Sequence, residues 1–253
     1  MLRAVIFDMD DTLIDWSQRE GGWPIQKHLQ PIYEYLLAAG YVLPPLDWVA
    51  GIYHQQAQAA WARAVPPDWD APRQIDILRE TLIALELDIQ ALDIEYLQRL
   101  FAWDVVPGVR VFEDAETVLR TIRAAGLRTG LLTNTSLPIW MRDAELRAFG
   151  LLEYLEVRIT AGDVGKIKPH PRPFHFVAER LGVQPEEAVY VGDRLYDDVV
   201  GALAAGMRAV WVRRSRYEGE GEIRPHATID SLTDLLRVLD EWHPGWRENH
   251  NDT

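Results

Sequence analysis

One pattern recurs through the second half of the chain, where helical stretches end at a glycine and apolar runs follow. The glycines at these junctions are Gly126, Gly150, Gly182 and Gly206. Glycine is favoured after the last turn of a helix because it adopts the left-handed backbone conformation without strain. Strands that alternate with helices in this way are typical of βαβ units. The pattern predicts an α/β fold, a Rossmann-like doubly wound parallel sheet with helices on both faces.

The predicted elements follow from this punctuation. Helices are predicted over residues 111–125, 138–149, 171–181, 195–205 and 231–239, and strands at the runs RAVIF, LRTGLLTN, YLEVRIT, EEAVYVGD, MRAVWVRR and HATI. The strand runs are nearly continuous in apolar residues, as expected when both faces of a sheet are buried. The last dozen residues are polar and are predicted to be frayed.

A different pattern separates the first strand from the rest of the sheet. From residue 16 to residue 104 the apolar positions follow helical spacing, and proline pairs at 44–45 and 66–67 break the stretch into pieces. This stretch is predicted to be an all-helical cap domain. It is inserted into a core domain that consists of residues 1–15 and 105–253.

The two connections between the predicted domains should act as hinges, near residues 15–18 and 104–107. Six tryptophans lie in or beside the insert: Trp16, Trp23, Trp48, Trp61, Trp69 and Trp103. Because a small helical bundle needs large side chains to hold itself together, most of them are expected in the cap core. One or two remain available to line a pocket that faces the sheet.

Composition excludes several partners and chemistries. The 253 residues include 39 acidic and 26 basic side chains, and no Lys/Arg cluster is dense enough to follow a phosphate backbone. Nucleic acid and anionic membranes are therefore not expected as partners. Cysteine is absent, which removes disulfides, thiolate metal sites and a cysteine nucleophile. No signal peptide or transmembrane segment is predicted, so a soluble cytoplasmic protein is expected.

Polar residues follow three of the predicted strands. The residues at these strand ends are Asp8 after AVIF, Thr133 and Asn134 after GLL, and Asp193 after VYVG. Parallel strands end at the same edge of a sheet, which is where such folds bind ligands. The predicted fold therefore brings together side chains that are far apart in the sequence.

The crowding of Asp8, Asp10 and Asp11 behind the first strand predicts a bound cation, because like charges repel one another. Mg²⁺ commonly takes one or two protein carboxylates together with phosphate oxygens and water, which makes Asp8 and Asp193 candidate ligands. Lys168 precedes a predicted helix and adds a second positive charge at this edge. A metal ion, an ammonium, a hydroxyl group and helix N-termini together form a phosphate site.

Four stretches of the chain resemble, in order and spacing, the four motifs of the haloacid dehalogenase-like (HAD) hydrolase superfamily. They are DMDDT from Asp8 to Thr12, LLTNTS with Thr133, KPHP with Lys168, and VGDRLYDD with Asp193. The helical insert is similar to the C1 cap of that family, so the resemblance covers essentially the whole chain. One such motif is weak evidence, whereas four in order are strong.

The resemblance implies the catalytic and metal-binding roles of three aspartates. Asp8 would attack phosphorus and form an aspartyl-phosphate, and Asp10 would protonate the leaving oxygen and later activate water. Asp8, the main-chain carbonyl of Asp10 and Asp193 would hold Mg²⁺.

The resemblance also implies a phosphate-binding set. Thr133 and Lys168 would bind the phosphoryl oxygens, and Asn134 is a further candidate for this role. The fourth motif ends in an acidic residue, and both Asp197 and Asp198 are available to complete it. The register of the following VVGALAAG favours Asp198.

Asp10 separates the reactions known in this superfamily, because dehalogenases lack the second aspartate whereas phosphatases and phosphomutases keep it. A 2-haloacid dehalogenase is therefore disfavoured. Sugar phosphomutases of the family typically place a histidine where this chain has residues 19–21, which are Arg, Glu and Gly.

The leading interpretation is a Mg²⁺-dependent phosphatase of a small phosphorylated metabolite. A sugar phosphomutase and a catalytically idle binding module are the alternatives, although an idle module would be expected to have lost one of the motif residues. The sequence identifies neither the metabolite nor the oligomeric state.

Overall fold

The computed structural model describes residues 1–20, 24–214 and 222–247. The strands within these residues are β1 (Ala4–Phe7), β2 (Ile14–Asp15), β3 (Arg110–Val111), β4 (Arg128–Thr133), β5 (Val157–Thr160), β6 (Ala188–Gly192), β7 (Arg208–Val212) and β8 (Ala227–Ile229). Six of them form a sheet in the order β5-β4-β1-β6-β7-β8, in which every pairing is parallel.

The α-helices of the described residues are α1 (Ile25–Ala38), α2 (Leu46–Ala62), α3 (Gln74–Ala84), α4 (Ile94–Leu100), α5 (Ala115–Ala124), α6 (Ile139–Ala148), α7 (Ala161–Val164), α8 (Pro171–Arg180), α9 (Gly201–Ala204) and α10 (Leu232–Trp242). Short 3₁₀ turns lie at Ile89–Ala91, Leu152–Tyr154 and Pro185–Glu187, and a π-helical turn covers Leu195–Val200. Among the described helices, none combines the length and the apolar character that crossing a bilayer requires.

The predicted doubly wound α/β fold is confirmed, and β1 lies at its centre. Alternate residues of a strand point to opposite faces. Val5 and Phe7 lie in the apolar cluster that includes α5 and α10. Ala4 and Ile6 lie in the cluster on the other face, with α8 and α9. Both faces of β1 are thus buried, which is why AVIF is a continuous apolar run.

Helices α1 to α4 lie between β2 and β3, where the helical insert is predicted. Their shared core consists mainly of aliphatic side chains, including Ile25, Leu29, Ile32, Leu36, Ile77, Leu78 and Leu82. The expectation that most tryptophans fill this core is wrong for the described residues. Trp48 is 68% exposed, Trp61 is also exposed, and Trp16 packs in the cluster under the sheet. Trp103 belongs to the cap core, and Trp23 lies outside the described residues.

Two predicted helices begin differently in the structure. Val111 lies in β3 rather than in the following helix, because Arg110 and Val111 pair antiparallel with Asp15 and Ile14. This two-stranded ribbon stands where the chain leaves and re-enters the sheet domain. The predicted helix over 195–205 begins as the π-helical turn, in which the amides of Asp198 and Val199 both donate to the carbonyl of Arg194.

The C-terminal segment is ordered further than predicted. Trp246 is only 5% exposed, packs in the cluster with α10, and donates from Nε1 to Oδ1 of Asp240 at 2.8 Å. The expectation of fraying is therefore wrong for residues 242–247, because an indole is buried there. Residues 248–253 lie outside the described part of the chain.

The segment before α3 joins the helical insert to the sheet domain at a second place. The amide of Ile167 donates to the carbonyl of Trp69 at 2.9 Å, and the amide of Gln74 donates to the carbonyl of Ser136 at 2.7 Å. Lys166 reinforces this contact, since its Nζ lies 2.7 Å from Oδ1 of Asp70. We call residues 69–74 the cap strap.

Candidate active site

Three buried aspartates meet at the carboxyl edge of the sheet. Phe7 pairs with Leu131 in β4 and with Val191 in β6, so Asp8 follows β1 at the level where both neighbouring strands end. One carboxylate oxygen each of Asp8, Asp193 and Asp198 lies within 4.8 Å of the others. The residues come from two strand ends and from the π-helical turn.

Lys168 lies among these carboxylates and is 2% exposed. Its Nζ donates to Oδ1 of Asp8 and to Oδ1 of Asp198, both at 2.6 Å. It also lies 2.9 Å from the hydroxyl of Tyr190 and 3.2 Å from the carbonyl of Leu132. Burial by itself lowers the pKa of this ammonium, but the carboxylates of Asp198 and Asp8 outweigh burial and hold the pKa well above its ordinary value. Lys168 is therefore a charged group at neutral pH.

Asn134 is engaged with the main chain of Lys168. Its Nδ2 donates to the carbonyl of Lys168 at 3.0 Å, and its Oδ1 accepts from the amide of Lys168 at 2.9 Å. The side chain that the sequence indicated as a phosphate ligand thus holds the lysine in place. Thr133, the last residue of β4, is buried at the same sheet edge.

The structure places Asp198, rather than Asp197, in the cluster. Oδ2 of Asp198 accepts from the amide of Arg194 at 2.9 Å, while Oδ1 faces Lys168. The carboxylate packs so closely on β6 that a Cβ at Gly192 would lie 2.3 Å from it. Asp197 points away and pairs with Nε of Arg194 at 2.8 Å.

The electrostatics of this cluster fit a divalent cation. Burial raises the pKa of Asp8 to about 7, and burial together with the nearby Asp8 and Asp198 raises that of Asp193 to about 8. Oδ2 of Asp193 is buried and accepts no hydrogen bond from the described residues. Because hard cations such as Mg²⁺ prefer oxygen ligands, this unpartnered oxygen of Asp193 is suited to bind one.

The carboxylate of Asp10 points away from this cluster, toward α6. Its Oδ1 accepts from Nη2 of Arg142 at 2.5 Å and from Nε1 of Trp16 at 2.7 Å. Nε of Arg142 lies 3.0 Å from Oε2 of Glu145 as an ion pair without a hydrogen bond, and this oxygen accepts from Nε1 of Trp103 at 3.0 Å. Burial raises the pKa of Glu145 to about 7, although Arg142 opposes the shift.

Sequence reasoning missed Arg142 and Glu145. The buried positions of α6 are Met141, Arg142, Glu145 and Leu146, so two charged residues occupy the apolar face of this helix. That pattern was readable in the sequence, because charged side chains on a helix face that is otherwise apolar are almost never buried without partners. The partner Asp10 was not readable, since it lies 132 positions away.

A cavity of about 910 Å³ opens between the helical insert and the sheet edge. Asp10, Asn134 and Arg142 line it on the sheet side. The insert and its connections contribute Trp16, Tyr53, His54, Gln58, Trp61, Phe101 and Trp103. A ligand in this cavity would meet Asp10 and Asn134 on the sheet side and aromatic side chains on the side of the insert.

Similar proteins share the architecture over nearly their whole length. Phosphoserine phosphatase of Thermus thermophilus is 29% identical over 93% of this chain and 98% of its own. The solved structure of a HAD phosphatase from Thermococcus onnurineus is 29% identical with a TM-score of 0.56 and covers 94% of this chain and 98% of that one. A 2-haloacid dehalogenase from Pseudomonas syringae is 27% identical with a TM-score of 0.63, over 96% and 100%.

The family relationship follows from a match to the model of a whole family rather than from any single relative. The model of the haloacid dehalogenase-like hydrolases matches residues 2–206, which include the first strand, the helical insert and the strand ends that carry the buried aspartates. The chain therefore belongs to the haloacid dehalogenase-like hydrolases.

Proposed function

We propose that the protein is a Mg²⁺-dependent phosphatase that hydrolyses a small phosphorylated metabolite through an aspartyl-phosphate on Asp8. The observation that carries the proposal is the position of Asp8, whose Oδ1 lies 2.6 Å from the ammonium of Lys168 beside two more buried carboxylates. Similarity to a phosphoserine phosphatase and a HAD phosphatase supports the reaction class.

In the first step an oxygen of Asp8 attacks phosphorus, and the bond between phosphorus and the leaving oxygen breaks. Asp10 donates a proton to that oxygen, and the alcohol departs. The aspartyl-phosphate that remains is split in the second step, in which Asp10 takes a proton from water as the water oxygen attacks phosphorus. Inorganic phosphate leaves, and Asp8 is again a free carboxylate.

Positive charge at the sheet edge stabilises the phosphoryl group during both steps. Lys168 donates from its ammonium, Thr133 donates from its hydroxyl, and Asn134 keeps Lys168 in place through its main chain. The residues that would hold Mg²⁺ are Asp8, Asp193 and the main-chain carbonyl of Asp10. When bound, the ion supplies charge neutralisation between the carboxylates and the phosphoryl oxygens.

The environment of Asp10 favours phosphoryl transfer over dehalogenation. Hydrolysis of a carbon–halogen bond expels a halide, which needs no proton at neutral pH, whereas an alcohol leaving group does. Asp10 borders the cavity and is one-third exposed there, so it is accessible to a leaving oxygen. Residues 19–21 are Arg, Glu and Gly, so the histidine typical of the sugar phosphomutases is absent there.

The test is phosphate release from p-nitrophenyl phosphate with and without Mg²⁺. We expect Asp8→Asn to lower kcat by about 10⁴-fold or more, because the amide cannot form the aspartyl-phosphate. Asp47→Asn, at an exposed position of α2, is the matched control and should keep full activity. Metal-independent hydrolysis, or full activity of Asp8→Asn, would contradict the proposal.

The substrate is found by comparing phosphate release from a panel of esters, including phosphoserine, phosphoglycolate, sugar phosphates and nucleotides. The same panel separates the alternatives. Interconversion of sugar 1-phosphates and 6-phosphates without net phosphate release would indicate a phosphomutase. Halide release from a 2-haloacid would indicate a dehalogenase.

A further inference from the structure

We propose that Arg142 is a positioning residue for Asp10, which it holds with one carboxylate oxygen engaged and the other free to exchange a proton with the substrate. This inference rests on the proposed function, since it assigns Asp10 the role of acid and base. Arg142 does not reach the reacting atoms and acts through Asp10.

The burial of Arg142 calls for a function other than stability. Its side chain is 2% exposed, and it lies between the carboxylates of Asp10 and Glu145. Replacing a buried ion pair with apolar side chains of similar size is often neutral or stabilising, because desolvation of the charges offsets their attraction. An arginine on the apolar face of α6 is therefore a costly way to fill this space.

The contacts of Asp10 show what the arginine accomplishes. Oδ1 of Asp10 accepts both from Nη2 of Arg142 and from the indole of Trp16. Within the described residues no hydrogen bond reaches Oδ2, and the carboxylate is 33% exposed at the cavity. Two donors on one oxygen fix the plane of the carboxylate. Oδ2 is then the oxygen that can give a proton to the leaving group.

Arg142 is itself held on several sides. Its Cζ lies 6.0 Å from the ring centre of Trp16 and 6.0 Å from that of Trp103, and these residues stand on the two connections to the helical insert. Nη2 also lies 3.1 Å from the sulfur of Met9. Glu145 accepts from Trp103 with the oxygen that faces Arg142. The guanidinium therefore has one defined position beside Asp10.

The shape of the guanidinium matters as well as its charge. Arg142 donates to Asp10 from Nη2, its Nε lies 3.0 Å from Oε2 of Glu145 without the alignment of a hydrogen bond, and its Cζ lies 6.0 Å from the ring centres of two indoles. A lysine offers a single nitrogen and no flat surface, so it would keep the charge but not this geometry. We therefore expect Arg142→Lys to restore only part of what Arg142→Met removes.

The experiment compares kcat/KM for phenyl phosphate and p-nitrophenyl phosphate in the full chain. The two esters are similar in shape, but phenoxide needs a proton as it leaves far more than p-nitrophenoxide does. Because kcat/KM reports on steps up to departure of the leaving group, it isolates the acid role of Asp10. We expect Arg142→Met to lower this value about 100-fold for phenyl phosphate and less than about tenfold for p-nitrophenyl phosphate, with KM little changed.

Three further variants make the result specific. Asp10→Asn should show the same selective loss, and adding Arg142→Met to it should cause no further loss. Arg147→Met, at an exposed position of the same helix, should behave as wild type. Should Arg142→Met fail to fold, Arg142→Gln keeps a polar donor without the charge, and thermal unfolding verifies the fold of each protein.

The outcomes separate this inference from the function on which it rests. Equal losses on both esters would show that Arg142 is only structural, and an increase in KM alone would show that it binds substrate. Additive losses in the double variant would show that it does not act through Asp10. If the wild-type protein with Mg²⁺ hydrolysed neither ester, the proposed function would fail, and this inference with it.

Discussion

Two buried cations flank the end of the first strand, and each lies between two carboxylates. The Lys168 cluster consists of Lys168, Asp8 and Asp198, and the Arg142 cluster consists of Arg142, Asp10 and Glu145. The Lys168 cluster is built from strand ends and from the turns that follow them. The Arg142 cluster is built from one face of α6 and from the turn after β1, and it contacts the connections to the helical insert.

The difference assigns the two clusters different tasks. The sheet holds the Lys168 cluster in place, because Asp8 and Asp198 follow the adjacent parallel strands β1 and β6 and Lys168 contacts the carbonyl of Leu132 in β4. This suits a site where charge must be preorganised around phosphorus. The Arg142 cluster contacts Trp16 and Trp103, so the position of the proposed acid and base depends on the same segments that carry the insert.

Removing the cation from the Lys168 cluster should have the largest effect. Lys168→Met leaves Asp8 and Asp198 buried side by side without counter-charge, which we expect to lower the free energy of unfolding by about 3–5 kcal/mol. Phosphatase activity should be lost as well. Urea unfolding of the metal-free protein measures the first effect.

The matched control for this experiment is Lys166→Met, two positions away. Lys166 pairs with the exposed carboxylate of Asp70, so its loss should cost no more than about 1 kcal/mol. Similar losses in the two variants would show that burial does not distinguish the lysines.

Asp8 of the Lys168 cluster and the neighbouring Asp193 should also make the metal-free protein less stable as pH rises. The folded-state pKa values of Asp8 and Asp193, about 7 and about 8, exceed the ordinary value of 3.8. Between about pH 4 and pH 8 the folded protein therefore binds protons that the unfolded chain has released, so stability falls with increasing pH.

Thermal unfolding at pH 6 and pH 8 checks this prediction. The midpoint without metal should be several degrees lower at pH 8, and Mg²⁺ should raise it more at pH 8 than at pH 6, since protons compete with the ion. Asp193→Asn should weaken both effects. A metal-free midpoint that rises from pH 6 to pH 8 would contradict the prediction.

In the Arg142 cluster, Glu145→Gln should change the pH dependence of stability. The pKa of Glu145 is raised from 4.5 to about 7, so this residue also makes the folded protein less stable as pH rises between these values. The variant lacks this contribution. The midpoint of thermal unfolding of the variant minus that of wild type should therefore be larger at pH 8 than at pH 5. Both are measured with Mg²⁺ present, so that the carboxylates beside Lys168 contribute less. A constant difference would show that Glu145 is ionised throughout.

The smallest expected effect concerns a single hydrogen bond. Trp16→Phe removes the indole donor to Asp10 and keeps an aromatic ring, which should lower kcat/KM for phenyl phosphate about three- to tenfold. Trp103→Phe should have less effect, because Trp103 contacts Glu145 rather than Asp10. Trp48→Phe, at an exposed position, is the control. A larger loss for Trp103→Phe than for Trp16→Phe would show that the position of Asp10 depends more on the connection that carries Trp103 than on the one that carries Trp16.

The sequence by itself determined the sheet, the helical insert and the approximate place of the strand-edge residues. Apolar runs and helix-ending glycines depend on neighbours along the chain, and parallel strands must bring their carboxyl ends to one edge. For this reason the sequence alone predicts that Asp8, Thr133, Lys168 and Asp193 lie at one edge. The register of VVGALAAG also favoured Asp198, which is the acidic residue that faces Lys168.

Only the tertiary structure decided the surroundings of Asp10, the hydrogen bonds of Asn134 and the contact made by the cap strap. Each depends on how a helix or loop is oriented against another element, and no periodic pattern in the sequence reports that orientation. Arg142 and Glu145 lie on a helix face that the sequence could mark as unusual, but the carboxylate that meets the arginine precedes it by 132 positions. The physical reason is that pairing along a strand is set by local pattern, whereas packing between elements is set by shape and charge in three dimensions.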